Sequence, residues 1–332
     1  MDEEVMLEPL PLITSEAFEA LRPEWEQLAR AAPGATPFHL PGWHAAWRSV
    51  FRPGGEAVFL AIRREERLIG VAALDLRPDG AWELGDPDVR DYGGPLALPG
   101  EEEAVAAGVL EWLREDLTRR LTAWGIAGDG PWPRAFARAA ERYGWRLAAE
   151  PEAVCPGLEL PASFAAYVAG LGKHDRHELR RKLRHFEAAG EARFERLVGA
   201  AAAERLDLLF ALMRASRADK AAFLTPEMEA LFRALVREPG LAESAVLGLT
   251  LLDGRPAAAT LVFEFGGTAY LYNSGFDPAV AQLAPGLVSK AWAIRDAIEQ
   301  GLGRFDFLRG DEEYKRRLGG RERRVVRLVL EE

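Results

Sequence analysis

Charged side chains crowd into one short stretch, Phe305-Asp306-Phe307-Leu308-Arg309-Gly310-Asp311-Glu312-Glu313-Tyr314-Lys315. Asp306 alternates with two aromatic rings on a short strand, so it faces opposite to them. At the floor of a cleft, such a carboxylate has its pKa raised by burial and can take a proton from an amine or hydroxyl. The alternative is a structural carboxylate, paired with Arg309 or bonded to nearby backbone. Asp311 and Glu312 are rival proton acceptors, or N-caps of a helix that carries Tyr314 and Lys315. Arg309 and Lys315 are the cations of this stretch, placed to meet a charged substrate.

Upstream, the pattern runs from strand Tyr270–Asn273 through a loop ending in Ala284-Pro285-Gly286 to a helix over Leu287–Gln300. Leu287, Ala291, Ile294 and Ile298 recur at spacings of three and four, and Gly301 and Gly303 stop the helix. A loop that opens a helix in this way gathers unpaired N–H groups and the positive end of a helix dipole, which can hold phosphate or pyrophosphate. The plain alternative is an ordinary Pro-initiated helix.

A further group of candidates is basic. Residues 173–185 carry six Lys/Arg and two acids, and residues 315–327 carry seven Lys/Arg and one acid. Arg176, Arg180 and Arg184 share one helical face. Arg180 and Arg181 suit the phosphates of a sugar-lipid, a nucleotide sugar or a transfer RNA. The alternative is a solvated helix face. Eight of nine tryptophans precede residue 150. Most are expected in the core, while one or two, with Tyr92 beside Gly93-Gly94, can stack on a sugar face.

The elements that must position these residues fill a chain of 332, long enough for two domains. A hydrophobic content of 48% and a charged content of 28% are those of a globular protein. Net charge of −10 argues against DNA as a partner. The lone Cys155 and five unclustered histidines give no disulfide and no metal framework. The acidic, proline-broken start MDEEVMLEPLPL is unlike a secretory leader, and no apolar run reaches membrane-spanning length, so the cytoplasm is the expected location.

In chain order, residues 1–13 read as an extended leader or edge strand. Helices follow over Glu16–Ala32 and from Pro41, then strands over Ala57–Arg63, Leu68–Leu76 and Ala81–Leu84, with Pro78-Asp79-Gly80 as a turn. A helix over Glu101–Arg120, strand Leu121–Ile126, helix Trp132–Tyr143 and strand Trp145–Ala149 lead to a connector, Pro151–Pro161. The second half repeats the order: helices to Arg237, strands Ala245–Leu252, Ala257–Phe265 and Thr268–Asn273, then the loop and helix already described, and a last strand over Arg324–Leu330. AVFLAIRREERLIGVAALDL and AVLGLTLLDGRPAAATLVFE rhyme across the halves. The expectation is an α/β (α+β layered) fold built twice, from mostly antiparallel sheets flanked by helices, divided into residues 1–155 and 156–332.

This order resembles the GNAT (N-acetyltransferase) superfamily. The segments Ser274-Gly275-Phe276-Asp277-Pro278, Pro285-Gly286, Phe305–Glu312 and Tyr314-Lys315 resemble more narrowly the CelD-like acetyltransferases of cellulose and polysaccharide biosynthesis, which are related to the FemAB peptidoglycan transferases. Arg176-x-x-x-Arg180-Arg181 and Phe38-x-x-Pro41-x-Trp43-x-x-x-Trp47 follow the same pattern. Gln282-Leu283-Ala284-Pro285-Gly286 departs from the usual GNAT pyrophosphate loop.

The resemblance implies tandem GNAT-like domains, with the acyl-donor site in the C-terminal half and a degenerate N-terminal copy shaping the acceptor groove. It implies acetyl-CoA or another acyl-CoA as co-substrate, held by Asn273, Ala284, Pro285, Gly286 and Leu287. The acceptor would be an amine or hydroxyl of a sugar or cell-envelope precursor. Tyr272 would be the general acid near the thiolate, the alternative being a core aromatic, and Asp306 or Glu312 the base. Two other readings remain: a FemAB-type transferase drawing on aminoacyl-tRNA, and a catalytically silent binding module of a polysaccharide-synthesis system.

Overall fold

A computed structural model of the chain describes residues 5–11, 15–53, 57–77, 79–115 and 119–332. Two compact units emerge: Met1–Val154 with Arg323–Glu332, and Cys155–Glu322.

The first unit runs β1 (Val5–Pro11), α1 (Ser15–Ala31), α2 (Pro41–Phe51), β2 (Ala57–Arg64), β3 (Arg67–Leu76), β4 (Trp82–Leu84), β5 (Leu96–Ala97), α3 (Glu102–Glu115), β6 (Arg120–Ala127), α4 (Trp132–Tyr143) and β7 (Arg146–Val154). The second runs β8 (Gly157–Glu159), α5 (Phe164–Gly170), α6 (Lys173–Glu187), β9 (Ala192–Val198), α7 (Gly199–Ser216), α8 (Ala218–Phe223), α9 (Pro226–Leu235), β10 (Ala245–Leu252), β11 (Arg255–Phe265), β12 (Thr268–Phe276), α10 (Pro285–Glu299), β13 (Arg304–Asp306) and α11 (Glu313–Arg317). The chain ends in β14 (Arg324–Glu331). Of the expected N-terminal extended segment, residues 1–4 and 12–13 lie outside the described residues. So do Pro78 of the expected turn and residues 116–118 of the expected long helix.

The first sheet is ordered β1-β2-β3-β4-β6-β14-β7, with β5 on β3, and the second β8-β13-β12-β11-β10-β9. The division expected at residue 155/156 counted the last strand with the second half. In the structure β14 pairs with β6 and β7 of the first unit, where Val325, Leu328 and Leu330 are buried. The segment Pro151–Pro161 is expected as a connector, yet β8 takes up Gly157–Glu159 and β7 runs through Pro151. It does so as an edge strand, with a register shift opposite Val326, the setting in which proline is tolerated.

The β10–β11 hairpin follows its sequence closely. Asp253 (φ 48°) and Gly254 (φ 73°) both sit at positive φ, as a two-residue turn matching strand twist requires. The core of the second unit lies between the sheet and α5, α6 and α10, where Phe186, Val288, Ala291, Ile294 and Phe305 are fully buried. Tyr272 is the extra residue of a β-bulge in β12: Leu261 pairs with Asn273 and Val262 with Leu271, which leaves Tyr272 unmatched.

Candidate active site

In the second unit β12 and β13 are parallel neighbours for three residue pairs only, Thr268 with Arg304 through Tyr270 with Asp306. Beyond Tyr270, β12 continues to Phe276 without that neighbour. The gap opens at the carboxyl ends of two parallel strands, the usual place for a ligand in sheets of this kind. The start of α10 stands at the same opening. Together they bound a cleft of about 290 Å³. Its walls are Ser274 and Phe276 of β12, Ala284 to Leu287 and Lys290 at the start of α10, Glu312 and Tyr314, and Ser216, Arg217 and Lys220 from the end of α7 and α8.

The free edge of β12 is capped by side chains. The Asn273 Oδ1 accepts from its neighbour's Ser274 N–H at 2.9 Å. The Lys220 ammonium donates to the Ser274 carbonyl, to Asn273 Oδ1 at 3.2 Å and to Ser274 Oγ at 3.4 Å. On the other wall, Ala284 adopts a left-handed conformation (φ 55°, ψ 44°) and Pro285 opens the helix. Leu287 and Val288 turn their N–H groups back to the Ala284 carbonyl at 3.0 and 3.1 Å. Gly286 lies in the first turn of α10, where backbone N–H groups have no intrahelical acceptor.

Lys290, buried on the second turn of α10, donates to the Gly286 carbonyl at 2.9 Å, and its Nζ lies 4.9 Å from the centre of the Tyr314 ring. Burial, with the Lys220 charge nearby, brings its pKa down to about 7. Burial, with Arg217 nearby, brings that of Lys220 down to about 8. Burial works to raise the Glu312 pKa, but the hydrogen bond and charge of Lys315, with smaller help from backbone and the Lys220 charge, together leave it lowered. Burial and then the Glu312 charge raise that of Tyr314, so its hydroxyl stays protonated.

The residues singled out from sequence therefore divide. Ala284, Pro285, Gly286, Leu287 and Glu312 line the cleft, and Asn273 sits at its edge. Asp306 does not line it. That carboxylate is 1% exposed, accepts from the Leu308 N–H at 2.8 Å and faces Arg304 at 3.7 Å. Tyr272 packs into an aromatic group with Phe232 and Phe263, at ring distances of 5.1 and 5.6 Å. Lys315, 1% exposed, is turned inward: its ammonium donates to the carbonyls of Leu308 (3.1 Å), Arg309 (2.6 Å) and Gly310 (3.3 Å) and pairs with Glu312 at 2.8 Å. Arg309 is half-buried beside it and gives its carbonyl to this cluster.

Arg180 and Arg181 are exposed on α6, Arg181 bonded to Glu178 at 2.9 Å. A neighbouring depression of about 140 Å³ shares Leu287 and Tyr314 with the cleft and is bounded by Asp175, Glu178 and Lys182, not by those arginines. Tyr92 lies in the first unit and is buried at 3% exposure. Asp306→Asn is thus expected to leave kcat within about threefold, whereas loss of a general base lowers rates about 10²–10⁴-fold. Steady-state turnover of the variant decides between the two.

The first unit shows what becomes of the same opening when it is filled. There β4 and β6 are parallel over Trp82–Leu121 to Leu84–Ala123. Past that point Gly93 donates its N–H to the Gly125 carbonyl at 3.1 Å. A Cβ on Gly93 would lie 2.4 Å from the Trp124 carbonyl oxygen, and one on Gly125 would lie 2.8 Å from the Gly93 nitrogen. The glycines beside Tyr92 thus serve close backbone packing rather than mobility. The first turn of α3 carries Glu102 and Glu103, which repel an anion where α10 has none.

Lys290 and Lys220 were not singled out from sequence, although a signal exists. The chain has 42 Lys and Arg together, of which only Lys173, Lys182, Lys220, Lys290 and Lys315 are lysine. All five lie in the second half, and Lys220 and Lys290 line the cleft.

Among the described residues no group of His, Cys, Asp and Glu is arranged to hold a metal, and no helix is long and apolar enough to cross a membrane. Residues 173–316 match the family model of an acetyltransferase (GNAT) domain. No curated protein matches the chain. Among solved structures, the crystal structure of FemX is 13% identical with a TM-score of 0.67, covering 93% of this chain and 95% of that one. L-PGS from Bacillus licheniformis is 10% identical with a TM-score of 0.58, over 95% and 91% of the two chains. A tandem GNAT protein from the clavulanic acid biosynthesis pathway is 16% identical with a TM-score of 0.50, over 98% of each. At such identities the likeness is one of fold. The protein has a mixed α/β fold of tandem GNAT-like units, and the segment that matches the acetyltransferase (GNAT) domain lies in the second of them.

Proposed function

We propose that the second unit transfers an acyl group from an acyl-CoA thioester to an amine or hydroxyl of a sugar or cell-envelope precursor. The observation that carries this reading is the cleft between the splayed strands β12 and β13 and the start of α10, with the Lys290 amine inside it. The resemblance of Phe305–Lys315 to the CelD-like group supports the envelope or polysaccharide acceptor.

In this reaction the acceptor atom attacks the thioester carbonyl. A C–N or C–O bond forms, the C–S bond breaks, and the CoA thiolate leaves. Near neutral pH a large share of Lys290 is uncharged and can take the acceptor's proton. Its ammonium, with a pKa of about 7, can pass that proton downhill to a thiolate whose conjugate acid has a pKa of about 8.5. One amine thus serves both ends of the transfer. The Gly286 N–H, with the positive end of α10 behind it, offers an anion a place at the cleft mouth. The rest of the rate comes from holding donor and acceptor together.

Calorimetric titration with acetyl-CoA and CoA tests the donor. Heat that saturates supports the reading; no heat and no thermal shift with either ligand sinks it. A second reading, transfer from aminoacyl-tRNA, is favoured by one observation. Leu287 and Val288 spend their N–H groups on Ala284, which leaves a sparse nest for pyrophosphate, while Arg180 and Arg184 stand exposed on α6. Salt-sensitive tRNA binding without CoA binding would select it.

A further inference from the structure

The charge inside the cleft is unbalanced. Glu312 is the carboxylate among its lining residues, and it is paired with Lys315 at 2.8 Å. Arg217, at the rim, is paired with Asp219. The hydrogen bonds of Lys220 and Lys290 go to neutral oxygens, Asn273 Oδ1, the Ser274 carbonyl and hydroxyl, and the Gly286 carbonyl, while the charges around them are Glu312 and Asp219 on one side and Arg217 and Lys315 on the other. Two amines drawn partly out of water, sharing carboxylates that already pair with Lys315 and Arg217, are expensive to keep. They become favourable when a ligand supplies the missing negative charge.

Their positions differ in a useful way. Lys290 is held against the first turn of α10. Lys220 is held on the free edge of β12 at Ser274, the edge along which the reacting end of a donor would lie if its phosphates sit toward the helix. Apolar surface from Phe276, Pro285 and Leu287 lines the same space and suits a short methylene stem. An acetyl group would place only a methyl beside Lys220. An aminoacyl group would bring an ammonium toward two amines and be repelled.

Resting on the acyl-CoA reading, we propose that the transferred acyl group ends in a carboxylate, as in the succinyl class, and that Lys220 binds that carboxylate. The bond changes are those of the transfer already described, since the distal carboxylate takes no part in them. Lys220 supplies the charge that selects the donor, and Lys290 remains the proton acceptor. Because the carboxylate stabilises the Lys220 ammonium, binding draws a proton from buffer at a pH where Lys220 is partly neutral.

The test titrates the full chain with CoA, acetyl-CoA and succinyl-CoA, at pH 8, in two buffers of different ionisation enthalpy. The expected result is that succinyl-CoA binds at least about 10-fold tighter than acetyl-CoA, as a charge-assisted contact provides. Only succinyl-CoA should show proton uptake beyond that of CoA. Lys220→Met should abolish the preference for succinyl-CoA over acetyl-CoA, with an unchanged circular dichroism spectrum showing that the variant is folded. Lys220→Arg should restore part of the preference. Equal or tighter binding of acetyl-CoA overturns the proposal, as does a preference that survives in Lys220→Met. If none of the three ligands binds, the donor reading falls and takes this inference with it.

Discussion

Lys290→Met lowers kcat by about 10²–10⁴-fold, the usual contribution of a positioned general base. Lys290→Arg falls equally, because a guanidinium keeps its charge and cannot accept a proton. The measurement is thiol release from acyl-CoA in the presence of an amine acceptor. In the unaltered protein the rate rises as pH passes through about 7, where the Lys290 ammonium gives up its proton, and this limb vanishes in both variants.

Stability should move the other way. The folded-state pKa of Lys290 is about 7, against an ordinary value of 10.5. Between those values the unfolded chain binds a proton that the folded chain does not, so stability rises with pH across that window. Below about pH 7 both states are protonated and the full penalty of burying the charge remains. Lys290→Met removes that penalty and is expected to gain roughly 2–4 kcal/mol near neutral pH. A lysine kept for structure would lose stability on removal. A variant that is both slower and less stable would therefore count against the assigned role.

Lys315→Met is expected to destabilise the second unit by about 3–5 kcal/mol, the range for removing one partner of a buried ion pair. The ammonium holds three successive carbonyls, Leu308 to Gly310, and neutralises Glu312. Those carbonyls belong to a strained turn: Leu308 has φ 57° and Gly310 has φ 120°. Without the ammonium the carbonyls are left unsatisfied and the turn loses its anchor. Arginine should not rescue it, since a planar guanidinium does not reproduce the compact ammonium that reaches three successive carbonyls. The midpoint of urea denaturation, followed on the second unit's transition, measures the loss. A shift worth less than about 1 kcal/mol would show that the cluster is not structural.

These two lysines also show what the sequence made legible. Pro285-Gly286 and the helix after them were readable, because proline at a helix start and three-four periodicity are local properties. The stretch Phe305–Lys315 was readable as the place where strand, carboxylates and cations meet. Its inward or outward sense was not. Asp306 and Lys315 turn inward to tie the Leu308–Gly310 turn, a choice set by tertiary contacts that residue type does not reveal. The resemblance implies a cleft-facing Tyr272, and its alternative, a core aromatic, is what the structure has, at a β-bulge where alternation along β12 breaks. Lys290 was passed over because Leu287, Ala291 and Ile294 account for the helix face without it. Only the scarcity of lysine beside arginine pointed to it. β8 and the second half of β7 were hidden by prolines, which edge strands accommodate.

The strand β14 has a consequence for how the protein is made. Val325 pairs with Ala127 and with Ala153, so a strand synthesised after the whole second unit lies between two strands of the first. A ribosome completes all of the second unit before it supplies the piece that joins β6 to β7. The second unit can therefore reach its final form first, while the earlier-made segment waits with the edges of β6 and β7 open to wrong partners. Closing that sheet requires contacts between distant parts of the sequence, the kind that form slowly.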